Sequence, residues 1–539
     1  MKLVAPLLAL ALSLSQAPCV SALWPQPSYM TNGTTALRLD PHSFQIHLPS
    51  NAPADLHRAT QRTLKSLRAT KSKPLQVGRG AERAKTVHAA KQLHSVNVVL
   101  GKKEHKRDSQ QHAFGARSVM NQNKGGSVQS IYDAVTGPIE DVDEEYSLHV
   151  PEDGSPATLT ANTAIGALRG LTTLEQMLWT LPSNGGSYLW GAPFDIKDKP
   201  AFPYRGFMMD TSRNWFSVSS IKRQLDGMAM VKMSTLHWHI TDAQSWPLKL
   251  RGDYARLAEF GAYSSDQVYD EADVRDVVQY AADRGINVAI EIDMPGHQLA
   301  GVEAMPGNLI SCGDHLPWSD VANEPPSGQL DLRNKQTYTF IDGLIEQVAP
   351  MFPGRYFSTG GDEVNLACYG AKNNSDIDDS LLKPFVENAH AALAKAGKVP
   401  MVWEEMAIDF PETGKTLPKG TIVETWTGPD NVKKVLEAND GVRLIHAPVT
   451  SFYLDCGRGE GLASLSASWC TYVTWENMYM FDPFNGTQGI EGGRERILGG
   501  EAPLWAEQVD ETNIDSLAWP RLASAAEGEH FPLRAKISY

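Results

Sequence analysis

Residues 271–297 read EADVRDVVQYAADRGINVAIEIDMPGH. An amphipathic helical stretch, Glu271–Arg284, gives way to an apolar strand-like run, Asn287–Pro295, that closes on the polar cluster Glu291 to His297. The same rhythm recurs on both sides. Strand-like runs fall at Tyr204–Thr211, Ser234–Asp242, Tyr356–Glu363, Met401–Met406, Thr421–Trp426, Arg443–Ala447 and Leu498–Trp505. Helical stretches at Ile221–Lys232, Lys335–Val348, Leu381–Ala396 and Asn431–Ala438 separate most of them. Strand and helix alternating about eight times predict a closed parallel (β/α)8 TIM barrel over residues 196–539. A doubly wound open sheet is the alternative, but no GxGxxG follows the first strand to favour it.

Polar residues crowd the C-terminal ends of these strands, the face that carries the active site in barrel enzymes. The first run ends in Asp210-Thr211-Ser212-Arg213, and the second holds His237-Trp238-His239 and ends in Asp242. The third gives Glu291, Asp293 and His297, and the fourth Gly360-Gly361-Asp362-Glu363. Trp403-Glu404-Glu405, Trp426, Tyr453-Leu454-Asp455 and Trp505-Ala506-Glu507 follow in turn. One such acid alone is more often a helix cap. Their joint placement is hard to obtain from packing. Indole faces among many carboxylates suit a sugar, whose apolar ring faces stack while its hydroxyls need donors and acceptors.

Neighbours on a strand point to opposite faces, so Asp362 and Glu363 can share a pocket only if the strand has already ended. Gly360 and Gly361 permit that bend. An acid beside another acid in an aromatic pocket is expected to have a raised pKa, as a general acid requires. His237 and His239 share one strand face and could suggest a metal. No cysteine or third histidine lies at ligand spacing, so none is expected.

Upstream, residues 23–195 are expected to form a smaller α+β domain. Leu93–Leu100, Tyr146–Val150 and Ala157–Ala161 read as strands, and a helix capped by Asn162 runs through Met177. The basic stretch 58–107 reads as a solvated or partly disordered face, and Pro182–Pro203 as a linker. Residues 1–22 carry Lys2, an apolar run from Leu3 to Leu14 and Val20-Ser21-Ala22, the pattern of an export signal. Export to a secreted, extracellular or vacuole-lysosome lumenal location makes Cys312, Cys368, Cys456 and Cys470 disulfide candidates in three alternative pairings, with Cys456–Cys470 the obvious local loop. Asn32, Asn373 and Asn485 head glycosylation sequons. A net charge of −14 argues against nucleic acid, and no run is long enough to span a bilayer.

The segments Arg205-Gly206 through Arg213, His237-Trp238-His239, Glu291 to His297, Gly360 to Glu363 and Ala502-Pro503-Leu504-Trp505 resemble glycoside hydrolase family 20, the β-N-acetylhexosaminidases, in their secreted, fungal-like form. The resemblance runs in order from about residue 160 to about residue 527. It implies an exo-acting hydrolase that removes terminal β-linked N-acetylhexosamine by substrate assistance, with no cofactor or metal. Glu363 then matches the general acid/base and Asp362 the residue that holds the acetamido N–H. Arg213 and Glu507 match the partners of the sugar's 3- and 4-hydroxyls, Tyr453 the donor to the acetamido oxygen, and Asp455 the acceptor for the 6-hydroxyl. Trp403, Trp426 and Trp505 match the aromatic walls. Asp242 and His297 stand behind Glu363, with Asp293 orienting His297, and Trp469 and Trp475 are candidates beyond the scissile bond. An oligosaccharide or glycoconjugate is the expected partner, without membrane or nucleic acid, and homodimerisation stays open. From Gly528-Glu529-His530 onward the helical pattern is lost, so the closing helix is expected to be truncated or altered. A carbohydrate-binding protein with the same pocket but impaired catalysis is the alternative.

Overall fold

A computed structural model of the chain describes residues 23–69, 80–101, 128–182, 186–370, 379–458 and 469–530, together with Gly78. The export pattern at 1–22, the sequon at Asn373 and the last residues, 531–539, lie outside these. Among the described residues no helix is long and apolar enough to cross a membrane.

The first unit is a seven-stranded sheet built from β1 (Tyr29–Leu39), β2 (Gln45–His47), β3 (Ser95–Leu100), β4 (Tyr146–Val150), β5 (Ala157–Ala161), β6 (Trp179–Thr180) and β7 (Ser187–Asp198). Its order is β1-β7-β4-β5-β3-β2, with β6 paired to β7. Helices Ala54–Ala69 and Ala164–Gln176 pack together and contribute Leu56, Ala59, Leu67, Leu168 and Leu171 to its core. Two expectations fail here, the linker and the helix cap. Pro182–Pro203 is no linker, since β7 lies inside it and pairs with both β1 and β4. The basic stretch begins on the helix Ala54–Ala69, which buries Leu56 and Leu67 and leaves Arg58, Lys65 and Arg68 on its solvated face, as expected. Thr163, not Asn162, caps the helix at Ala164, accepting from the Gly166 N–H at 3.0 Å.

The second unit is the closed barrel: β8 (Tyr204–Asp210), β9 (Thr235–Thr241), β10 (Asn287–Ile292), β13 (Tyr356–Ser358), β14 (Val399–Trp403), β15 (Ile422–Thr425), β16 (Arg443–His446) and β17 (Ile497–Leu504), which pairs with β8. A small hairpin, β11 (Ile310–Ser311) with β12 (Gln329–Leu330), rises from the connection after β10. All eight barrel strands are parallel and occur where the apolar runs predict. Three of the outer helices start on side-chain caps, from Ser217, Asp270 and Asn334, and Asp270 and Asp273 form a reciprocal capping box at the head of Glu271–Ala282.

Inside, the barrel departs from the branched-aliphatic filling usual for this architecture. An apolar layer of Tyr204, Ala289, Tyr356, Met401, Ile422, Ile445 and Leu498 also takes in Ile139 from the first unit. The Ile139 N–H donates to the Tyr356 hydroxyl at 3.1 Å. Elsewhere the barrel strands bury ionisable groups: His237, His239, Glu291, Glu424 and Glu501.

The two units share buried charges. Glu144 of the first accepts from Arg169 (3.0 Å) and from Arg205 of β8 (2.6 Å), and all three side chains are at most 4% exposed. Asp198 is paired with Lys232 and with His530, each at 2.8 Å. His530 belongs to the helix Arg521–His530, which packs on β8 and β17 with Gly528, Glu529 and His530 buried. The helix expected to be lost from Gly528 onward continues through His530, where the described residues end. Small Gly and Ala residues carry the helix against the barrel without the bulky periodicity that a sequence pattern registers.

Candidate active site

The fourth barrel strand ends at Ser358, five residues before Glu363. Gly360 and Gly361 then adopt left-handed backbone (φ 59° and 100°), and so does Glu363 (φ 52°). This turn separates the two adjacent carboxyls, as their sharing a pocket requires. Its position is held by Asp293 at the end of β10, which accepts the Gly361 N–H at 2.8 Å. A Cβ on Gly360 would stand 2.0 Å from the same carboxylate oxygen.

His297 bridges the pair to the second strand. Its Nδ1 lies 3.1 Å from Asp242, and its Nε2 lies 3.4 Å from Glu363 and 3.9 Å from Asp362. Asp242, rather than Asp293, orients the ring. Asp293 instead faces Asp362, and burial together with that second acid drives the Asp293 carboxyl well above its ordinary pKa. Burial also raises Asp362. Glu363 moves the other way from expectation. Burial opposes its ionisation, but His297, with Asn323 and Arg213, outweighs that and holds its carboxyl below the usual range.

Arg213, at the end of β8, faces Asp210 at 3.4 Å, Asp242 at 2.9 Å and Glu324, and its guanidinium lies 4.9 Å over the Trp505 ring. Asp210 ties the seam of the barrel by accepting the N–H groups of Ser212 (2.8 Å) and Ala506 (3.0 Å). Burial pushes Glu507 up to about 8 against the pull of Arg213, and pushes Asp455 up to about 7.

These groups surround a cavity of about 930 Å³ lined by Arg213, His297, Asp362, Glu363, Trp426, Tyr453, Asp455, Trp469, Trp505 and Glu507. Trp426 stacks on Tyr453 with centroids 6.2 Å apart, and Trp469 meets both rings edge-on. Trp403, expected as a wall, is instead buried behind Trp505 and donates to Glu291 at 3.2 Å. Trp475 is half-exposed and does not line the cavity.

Another part of the wall is not legible in the sequence: Gln244, Trp318, Asn323 and Glu324. Three of these come from the long loop after β10, which has no periodicity to read. Only its Trp and Asn-Glu-Pro-Pro composition sets it apart. Two disulfides form, the expected local loop among them. Cys312 bonds Cys368, linking the long loop after β10 to the segment after Glu363, and Cys456 bonds Cys470 beside Asp455 and Trp469. Asn32 and Asn485 are exposed.

The chain matches the glycosyl hydrolase family 20 catalytic domain over residues 202–529 and a β-acetyl hexosaminidase-like domain over residues 23–177. It is 34% identical over 425 residues to β-hexosaminidase 1 of Coccidioides posadasii, covering 72% of this chain and 70% of that protein. It is 35% identical over 413 residues to the chitooligosaccharidolytic β-N-acetylglucosaminidase of Ostrinia furnacalis, covering 72% of this chain and 68% of that protein. Among solved structures, the family 20 β-N-acetylhexosaminidase of Streptomyces coelicolor superposes with a TM-score of 0.68 at 25% identity, over 95% of this chain and 92% of that one. With this match spanning most of the barrel and its strand-end acids, the chain belongs to glycoside hydrolase family 20.

Proposed function

We propose that the protein removes terminal, non-reducing β-linked N-acetylhexosamine from chitooligosaccharides or glycoconjugates, with retention and through an oxazolinium intermediate. The observation that carries this reading is the split carboxyl pair. Glu363 faces the cavity beside His297, while Asp362, 3.9 Å from the same ring, turns to Asp293. Two acids with such different surroundings suit two different tasks, and neither has to be the nucleophile.

The sugar's acetamido oxygen attacks the anomeric carbon as the bond to the leaving oxygen breaks, and Glu363 delivers its proton to that oxygen. Asp362 holds the acetamido N–H and balances the positive charge developing on the ring that forms. Tyr453 donates to the acetamido oxygen, and Trp426 and Trp505 shape the pocket around the methyl group and the sugar face. Glu363 then takes a proton from the water that opens the intermediate. Arg213 and Glu507 hold the 3- and 4-hydroxyls, and Asp455 the 6-hydroxyl. A bound sugar excludes water from Glu363, which moves its carboxyl back up toward the protonated form that the first step needs. The two disulfides beside the cavity fit a chain exported to an oxidising compartment.

The test is hydrolysis of an aryl N-acetylglucosaminide and of the matching plain glucoside. Wild type should cleave only the first. Glu363→Gln should lose about 10²- to 10⁴-fold, the usual worth of general acid–base catalysis. Equal rates for wild type and Glu363→Gln, or ready cleavage of the glucoside, would overturn the assignment. The binding-protein alternative rested on a lost closing helix, and Arg521–His530 is helical and buried.

A further inference from the structure

A row of seven ionisable side chains runs through the barrel to Glu363, and binding the sugar does not require most of it. It begins at Glu501 on β17, whose Oε1 lies 2.8 Å from Nδ1 of His237. His237 Nε2 lies 2.8 Å from Glu291 Oε2. The other Glu291 oxygen lies 2.7 Å from Nδ1 of His239, and His239 Nε2 lies 3.0 Å from Asp242 Oδ2. Asp242 Oδ1 then meets His297 Nδ1 at 3.1 Å, and His297 Nε2 meets Glu363 at 3.4 Å. Carboxylate and imidazole alternate throughout, with hydrogen bonds at four of the contacts and ion-pair approaches without hydrogen-bond geometry at His237–Glu291 and His297–Glu363. The side chains of Glu501, His237, Glu291, His239 and Asp242 are fully buried, while Glu363 is 29% exposed, so the row meets the cavity at its Glu363 end.

Elementary proton counting constrains such a row. An ionised carboxylate only accepts, so an imidazole lying between two of them must carry a proton on both nitrogens. The four hydrogen-bonded contacts need four protons, and the two ion-pair approaches favour a proton on His237 Nε2 and on His297 Nε2, which makes three imidazolium rings among four carboxylates. The surroundings agree with that arrangement. Burial alone would strip the rings, but the flanking carboxylates hold all three up, His239 at about 9. Glu291 and Asp242 are held down against their own burial, chiefly by His237 and by Arg213 respectively.

We propose that the row acts as one proton-holding unit, in which Glu291 and His239 are positioning residues for the proton on Glu363. Each time Glu363 gives up its proton, the row regains full alternation of charge. Each time it takes one back, one carboxylate at the cavity end is discharged while the buried members keep their protons. A glutamine at 291 breaks this. Its carbonyl can accept from one ring, but its amide must donate to the other, which then has to lose a proton. If that ring is His239, Asp242 loses a positive neighbour and Glu363 holds its proton more tightly. The other charged groups facing the row stay in place. Arg213, Asp210 and Asp242 face His239, and Asp362, Asp293 and Glu324 face His297. Glu424 lies 3.7 Å from His237, the Tyr204 hydroxyl donates to Glu501, and Glu529 stands near Glu501.

The test rests on the N-acetylhexosaminidase reading and uses two N-acetylglucosaminides. In one the leaving group is a sugar that needs a proton, and in the other an activated phenol that departs without one. For Glu291→Gln, kcat/KM on the sugar leaving group should fall at least about 10-fold, part of the 10²–10⁴ worth of a general acid. The basic limb of its pH profile should move by more than about 0.5 unit, while the activated phenol is cleaved within about threefold of wild type. Equal losses on both substrates, or no loss and an unmoved limb, would overturn the proposal; His239→Gln provides a second variant. Should neither variant fold, ¹⁵N-histidine spectra of wild type near pH 7.5 decide the matter. Three doubly protonated buried rings are expected, and a neutral ring at His239 would overturn it. Wild type inert to both substrates would reject the functional reading instead, and the spectra would still judge the row.

Discussion

Glu507 and Asp455 are acids that burial has pushed up to about 8 and about 7, yet both line the cavity. Above about pH 4.5 an unfolded chain ionises Glu507 while the folded chain keeps it protonated. Its contribution to stability is thus full in acid and is lost as pH rises to about 8. We expect Glu507→Gln to lower kcat/KM sharply and to reduce the fall in Tm between pH 5 and pH 8 relative to wild type, as read by thermal unfolding. A drop in Tm as steep as that of wild type would reject this. Residue types at strand ends were legible in sequence because each sits where an apolar run stops. Their charge states were not. The partner that lowers Glu363 is His297 on another strand connection, and a prediction drawn from its neighbour Asp362 alone gave the wrong sign.

The turn after β13 does for the element what those contacts do for the residue. A Cβ on Gly361 would meet Met406 Cγ at 2.5 Å in a left-handed conformation that side chains rarely adopt. Gly361→Ala should therefore displace both acids. A shift of about 1 Å costs on the order of 10² in rate. We expect a kcat/KM loss of about that size with the circular dichroism spectrum retained, and near-wild-type activity would refute the role given to this turn. Barrel strands were readable because each carries a short apolar run, such as Phe207–Met209, Val288–Ile290 or Ile422–Val423, even where ionisable side chains interrupt it. β1 and β7 were not, because Asn32-Gly33 and Gly191-Ala192-Pro193 interrupt them with residues that usually mark turns. The wall from 318 to 324 was invisible because its shape comes from a disulfide and distant hydrogen bonds rather than from local periodicity.

Taken as a whole, the molecule has a sequence boundary near residue 195 but no energetic one. Glu144 bridges the buried guanidinium groups of Arg169 and Arg205. Removing one partner of such a buried arrangement costs about 3–5 kcal/mol. Glu144→Ala should lower unfolding stability by that amount in denaturant titration, although Glu144 lies far from the acids in sequence. A change below about 1 kcal/mol would mean that the two units are only loosely joined. The seat of Ile139 in the apolar layer carries this further, into the order of synthesis. That layer includes Leu498 of β17, so the seat is complete only when the last barrel strand has emerged. At the usual pace of translation, Ile139 waits roughly 20 to 70 s for it. Throughout that interval the nascent first unit holds Ile139 without the apolar seat that the finished barrel provides.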